Sequence, residues 1–219
     1  MDLIARWRSL SDEIQELTEK YHLSTLPTLI AVSKYASIEQ IRTLHNAGQK
    51  DFAENYWQMA KNKIEFLKKT NIIWHFIGAL QSNKCKFIAQ NFSWVHTLIS
   101  PKHALLLNQE RQFLPPLNVN IQINFHPDNK RYGASIESLS TVLKTVLTCA
   151  NLKLNGLMVM PEKNQYNDFI SLAKLRNKLE NEWNISLPVL CMGMSNDYQE
   201  ALSAGATMLR IGSKLFEEA

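Results

Sequence analysis

The sequence predicts an α/β fold, a single (β/α)8 TIM barrel preceded by one extra helix, and three observations point to it. Eight short apolar segments begin near residues 28, 51, 72, 94, 118, 152, 187 and 208, each followed by a helical pattern. Strict alternation of strand and helix is the pattern of a parallel sheet with its crossovers, and eight repeats are the count that closes it. The 219 residues fall slightly below the roughly 250 typical of such a barrel, so residues 1–219 are read as one domain with no length to spare. A doubly wound open sheet, the competing architecture, would carry a Gly-x-Gly-x-x-Gly turn after a strand, and none occurs.

The elements follow in order. Leu3, Ile4, Trp7, Leu10, Ile14, Leu17 and Tyr21 recur at three- and four-residue steps, so residues 1–22 form an amphipathic helix that packs one face on the barrel. Thr28-Leu-Ile-Ala-Val-Ser-Lys34 is an apolar, β-branched run, a strand buried on both faces that ends in a lysine. Ser37-Ile-Glu-Gln40 is a capping box and opens a helix to about Gly48. Asp51 to Asn55 is the second strand, with a helical pattern from Tyr56 to Lys69. Ile72 to Gly78 is the third, and the Gln81-Ser-Asn-Lys84 turn starts the next helix. Trp94 to Ile99 is the fourth strand, ended by Ser100-Pro101, an N-cap with proline at the first helical position. Asn118 to Phe125 is the fifth, with the loop Asp128-Asn-Lys-Arg-Tyr-Gly133 behind it and Ser135 capping the following helix. Leu152 to Met160 closes at Pro161, and a long helix runs from Asn167 to Trp183. Leu187 to Met194 precedes a helix from Asn196 to about Ala204, with Gly205 as its stop, and Met208 to Gly212 is the last strand.

Composition narrows the function classes. Basic residues number 24 and acidic residues 20, dispersed along the chain, and a net charge of +4 without clustering argues against a nucleic-acid partner. Lys61, Lys63, Lys68 and Lys69 read as the solvated outer face of a barrel helix. The three cysteines, Cys85, Cys149 and Cys191, have no Cys-x-x-Cys spacing, which argues against a disulfide framework and a zinc site and for a reducing compartment. Asp2, Asp12 and Glu13 interrupt any leader-like apolar run, and no stretch approaches the roughly 20 apolar residues of a membrane span. The cytoplasm is the expected location. The six histidines include no i, i+4 pair, so no metal ligands are expected.

A barrel gathers the carboxyl ends of its strands on one rim. That rim would collect Lys34, Asn55, His75 a little deeper, Met194 and Ser195 after strand seven, and Arg210, Gly212 and Ser213 at strand eight. The loops after strands seven and eight are where barrels commonly bind phosphate, and glycine and a hydroxyl suit that task. Each piece also has a plainer reading: Lys34 as a strand's exit into water, Ser195 as an N-cap, Gly212 as a tight turn. A lysine beside a phosphate loop is nevertheless the arrangement needed by an aldehyde cofactor that carries a phosphate, because a neutral amine condenses with an aldehyde. Pyridoxal 5′-phosphate is the obvious candidate, with Arg210 as partner of its pyridine nitrogen. An arginine does not give up its proton, so the ring would act as a weak electron sink.

The stretches Ala31-Val-Ser-Lys34, Ala53-Glu-Asn-Tyr56, Trp74-His-Phe-Ile-Gly-Ala-Leu-Gln-Ser-Asn-Lys84, Gly156-Leu-Met, Met192-Gly-Met-Ser195 and Arg210-Ile-Gly-Ser213 resemble the YggS/PROSC family of pyridoxal phosphate-binding proteins. The resemblance runs from about residue 28 to the C-terminus. It implies a fold similar to the barrel domain of alanine racemase and of fold-type III decarboxylases. It further implies that Lys34 forms the internal aldimine, that Arg210 faces the pyridine nitrogen, that Ser195, Gly212 and Ser213 hold the phosphate, and that Asn55 and His75 line the pocket. The family is implicated in vitamin B6 and amino-acid homeostasis, with no established turnover. Departures from its pattern include Tyr35-Ala-Ser37 in place of Thr-x-Pro, Ala79 in place of proline and Arg131 in place of lysine. A racemase of this type needs a second base on the opposite face of the cofactor, supplied there by a tyrosine of a separate β domain. Tyr35, Tyr56 and Tyr198 could be proposed for it, but nothing marks any of them as a base. The expectation is a monomeric carrier that holds pyridoxal phosphate and delivers it to apoenzymes, with an amino-acid racemase or lyase as the alternative.

Overall fold

A computed structural model describes residues 2–126, 131–162 and 165–216. Eight parallel strands close on themselves in sequence order: β1 (Thr28–Val32), β2 (Asp51–Glu54), β3 (Ile73–Phe76), β4 (Trp94–Leu98), β5 (Leu117–Ile123), β6 (Leu152–Val159), β7 (Val189–Cys191) and β8 (Met208–Ile211). Closure runs through four register pairs, Thr28 with Met208 to Ala31 with Ile211. The outer helices are α2 (Ile38–Asn46), α3 (Trp57–Phe66), α4 (Cys85–Asn91), α5 (Pro101–Glu110), α6 (Ile136–Leu147), α7 (Asn167–Trp183), α8 (Tyr198–Ser203) and α9 (Ser213–Phe216).

The helices start where local chemistry dictates. Ser37 accepts the Gln40 amide while the Gln40 side chain accepts the Ser37 amide, a complete capping box. Ser100 caps α5 through the His103 amide, with Pro101 at its first position. Ahead of the barrel, α1 (Leu3–Lys20) is capped by Asp2 and buries Leu10, Ile14 and Leu17. Two side chains tie α1 to the barrel wall: Arg6 Nε donates to the Leu215 carbonyl at 2.9 Å, and Trp7 Nε1 to Gln49 Oε1 at 2.9 Å.

Alternation along the strands builds two cores. Ile30, Ala53, Met158, Val189, Cys191 and Met208 fill the barrel interior. Ala31, Phe52, Phe76, Val95, Leu157 and Leu190 point outward under the helices, where Ile41, Leu44, Ile88 and Phe169 meet them. Each of these large side chains contributes about 1.5–3 kcal/mol by leaving water.

Several strands are shorter than the sequence suggests. β1 stops at Val32 and leaves Lys34 in the turn, because the Ser33 carbonyl is taken by the Lys63 ammonium at 2.7 Å. β7 starts at Val189 because Pro188 has no amide and the Leu187 amide donates to Glu180 Oε1 at 2.7 Å. In the expected loop after strand five, Asp128 to Lys130 lie outside the described residues.

Candidate functional site

A cavity of about 510 Å3 opens at the carboxyl ends of β1, β2, β6, β7 and β8. Seven residues singled out from the sequence line it: Lys34, Asn55, Met194, Ser195, Arg210, Gly212 and Ser213. Arg210, next to last in β8, is buried. Its Nη1 donates to the Cys191 carbonyl at 2.8 Å and lies 3.1 Å from Cys191 Sγ, and its Nη2 donates to the Val159 carbonyl at 3.0 Å. Burial pushes the Cys191 thiol up, so a neutral sulfur sits beside the guanidinium. The arginine is therefore clamped between the ends of β6 and β7.

The loop after β7 is shaped by Gly193, whose φ of +93° suits glycine and whose Cβ would stand 2.7 Å from the Ala201 Cβ. Asp197 folds back and accepts the Met194 amide at 2.6 Å. Burial raises its carboxyl pKa, partly offset by that hydrogen bond and by Arg210. Ser195 does not cap α8, as its plainer reading would have it: its Oγ accepts the Lys214 amide at 3.3 Å and so joins the β7 loop to the β8 loop. The backbone amides of Ser195 and Asn196 enter no hydrogen bond among the described residues. Two free amides, a hydroxyl and a glycine together form a cradle for an oxyanion.

Lys34 is half-buried, and its ammonium lies 4.8 Å from the ring centroid of the exposed Tyr35. Its backbone is anchored by a residue read from the sequence as solvated. Lys63 is buried, not outward-facing: its Nζ donates to Glu54 Oε1 at 2.9 Å and to the Ser33 carbonyl at 2.7 Å, and lies 3.5 Å from the Lys34 carbonyl. Ser33 Oγ completes the cluster by donating to the same Glu54 oxygen at 2.7 Å.

The structure puts His75 elsewhere than the expected pocket wall. It is fully buried inside the barrel, with Nε2 2.9 Å from Asp51 Oδ1 and Nδ1 2.8 Å from His96 Nε2. Asn120 Nδ2 lies 2.9 Å from His96 Nδ1, and since that amide nitrogen only donates, the order of donors runs from Asn120 through His96 and His75 to Asp51. Burial lowers the pKa of both imidazoles, most for His96, which also faces Arg210. Both rings are neutral and stack on Trp94.

Sequence reasoning missed four polar cavity residues, Glu162, Tyr166, Asn196 and Asp197. Asp197, with Asn196 beside it, directly precedes α8 and Tyr166 directly precedes α7, so a helix start marks their places; Glu162 follows Pro161 beyond the end of β6, where no periodicity singles out a residue.

Comparison with known proteins agrees with this fold. The model of the family described as alanine racemase, N-terminal domain, matches residues 8–218. The pyridoxal phosphate homeostasis protein of Buchnera aphidicola subsp. Baizongia pistaciae is 38% identical over 216 residues, covering 96% of each chain. PipY of Synechococcus elongatus, solved with PLP bound, is 28% identical and superimposes with a TM-score of 0.85 over 98% of this chain and 100% of that one. An alanine racemase from Clostridium difficile shares the fold, with a TM-score of 0.71 at 13% identity, and this chain covers 94% of itself but only 55% of that enzyme. The chain therefore belongs to the alanine racemase N-terminal-domain family, and within it to the pyridoxal phosphate homeostasis proteins.

Proposed function

We propose that this protein binds pyridoxal 5′-phosphate at the barrel mouth and serves as a reservoir that takes up and delivers the cofactor, in the cytoplasm and as a monomer. The observation that carries the reading is the convergence of Lys34, the clamped Arg210 and the oxyanion cradle of Ser195, Gly212 and Ser213 on one cavity of about 510 Å3. That volume lies within the roughly 300–1,000 Å3 of small-molecule sites. Bound there, the cofactor supplies an aldehyde that condenses with a primary amine. The residues divide the work. The cradle fixes the phosphate end, Arg210 presents a permanent cation to the ring nitrogen without handing over a proton, and Lys34 offers its amine from a turn held by Lys63.

Storage is favoured over turnover by the surroundings of the tyrosines considered as a second base. Tyr198 is buried, and its hydroxyl donates to Glu13 and accepts from Lys214, which spends it on fastening α1. Tyr35 and Tyr56 are largely exposed. Protein loaded with pyridoxal phosphate and freed of excess is expected to restore activity to a cofactor-dependent apoenzyme. In the same preparation, exchange of the α-proton of amino acids with deuterated water should stay near the rate of free cofactor. Rapid exchange that is lost in Lys34→Ala would replace the carrier by an amino-acid racemase.

A further inference from the structure

A second, smaller cavity of about 240 Å3 adjoins the first above β2 to β5, and Asn55, Ile77 and Met160 line both. At ~30 Å3 per water it has the volume of only a handful of water molecules, too little for a nucleotide. Three polar groups on its wall have hydrogen-bonding capacity unspent. Lys84 is half-buried, and among the described residues its ammonium has neither a carboxylate nor a hydrogen-bond partner. Tyr132 accepts the Leu80 amide at 3.0 Å and so keeps its own hydroxyl proton to donate; burial raises its pKa and keeps that proton in place. Asn55 Oδ1 is a buried acceptor with no partner. Phe76, Ile77 and Ile88 supply an apolar wall beside them.

A cationic donor, a neutral donor and an unpaired acceptor around a small apolar-walled space complement a small zwitterion. An inorganic anion would satisfy Lys84 and set negative charge against the Asn55 oxygen; an apolar ligand would strip water from Lys84 and return nothing. We infer that the smaller cavity is a binding site for a small α-amino acid, with its carboxylate on Lys84 and Tyr132 and its ammonium on Asn55 Oδ1. Because Asn55 borders both cavities, the amine end lies toward Lys34. The meaning of that adjacency rests on the proposed cofactor site, whereas the charge pattern of the ligand does not.

Calorimetric titration of the cofactor-free protein tests this, with L-alanine, D-alanine, propionate and ethylamine as probes. Saturable alanine binding is expected, with propionate and ethylamine at least tenfold weaker, since each lacks one of the two charged groups. Lys84→Met, which keeps the length of the side chain and removes its charge, should weaken alanine binding at least tenfold while leaving the circular dichroism spectrum unchanged, and Tyr132→Phe should weaken it several-fold. Absence of saturable alanine binding, equal binding of propionate, or unchanged binding in folded Lys84→Met would overturn the assignment. Failure of the cofactor reading would register separately, as no visible band on adding pyridoxal phosphate.

Discussion

Lys63→Met is expected to lower the unfolding free energy by about 3–5 kcal/mol, read from the midpoint of urea denaturation, because it leaves the fully buried Glu54 carboxylate without its cation. Half of that carboxylate is already unpartnered, since Glu54 Oε2 makes no hydrogen bond, and in the variant Oε1 would keep only the neutral Ser33 hydroxyl. Adding Glu54→Gln to Lys63→Met removes the uncompensated charge and should recover at least half of the loss. An ordinary surface lysine would cost under about 1 kcal/mol and show no such recovery. The same variant should weaken cofactor binding, because the Ser33 carbonyl loses the donor that ends β1 and sets the turn bearing Lys34.

Gly78→Ala is the second large effect expected. A Cβ at Gly78 would lie 1.8 Å from the Asn55 carbonyl oxygen and 2.7 Å from its carbon, and a backbone cannot swing aside as a side chain can. The ends of β2 and β3 would have to separate, and the Gly78 carbonyl that accepts the Thr97 hydroxyl at 2.6 Å would move with them. A destabilisation of about 2–3 kcal/mol is expected, in the range of overpacked cores, together with weaker binding in both cavities that Asn55 borders. A thermal melt that matches the wild type would mean that the two strand ends do not approach as closely as described.

The difference between Lys34 and Lys63 shows what the sequence made legible. Lys34 follows an apolar β-branched run and precedes a capping box, so its place at a strand-to-helix turn is written within about ten residues of chain. Ser195, Gly212, Ser213 and Arg210 were legible for the same reason, once eight alternations implied a closed barrel with one shared rim. Lys63 lies on α3 amid polar neighbours, and its partner Glu54 is nine residues back on another element; only the packing of α3 against β1 and β2 brings them together. His75 failed differently. It sits in the wholly apolar setting Ile72-Ile-Trp-His-Phe-Ile, where no alternation marks the inward face, and its partners Asp51 and His96 lie 24 and 21 residues away. Barrel register, with His75 level with Ala53 on β2 and Trp94 on β4, sets it below the rim among neutral hydrogen-bonding groups. Asn55 was placed correctly on the rim, yet the smaller cavity beyond it is also walled by Tyr132 and Lys84, one from the segment after β5 and the other from the 3-10 turn before α4.

The central claim is that Lys34 is the amine that bonds the cofactor. Its most direct test is the visible absorption spectrum of the purified protein with added pyridoxal phosphate, before and after borohydride, in wild type and Lys34→Ala. A band that forms in wild type, is bleached by borohydride with a covalent adduct on the peptide containing Lys34, and never forms in the variant is the predicted result. A wild-type protein without such a band, or a band that persists in Lys34→Ala, would contradict it.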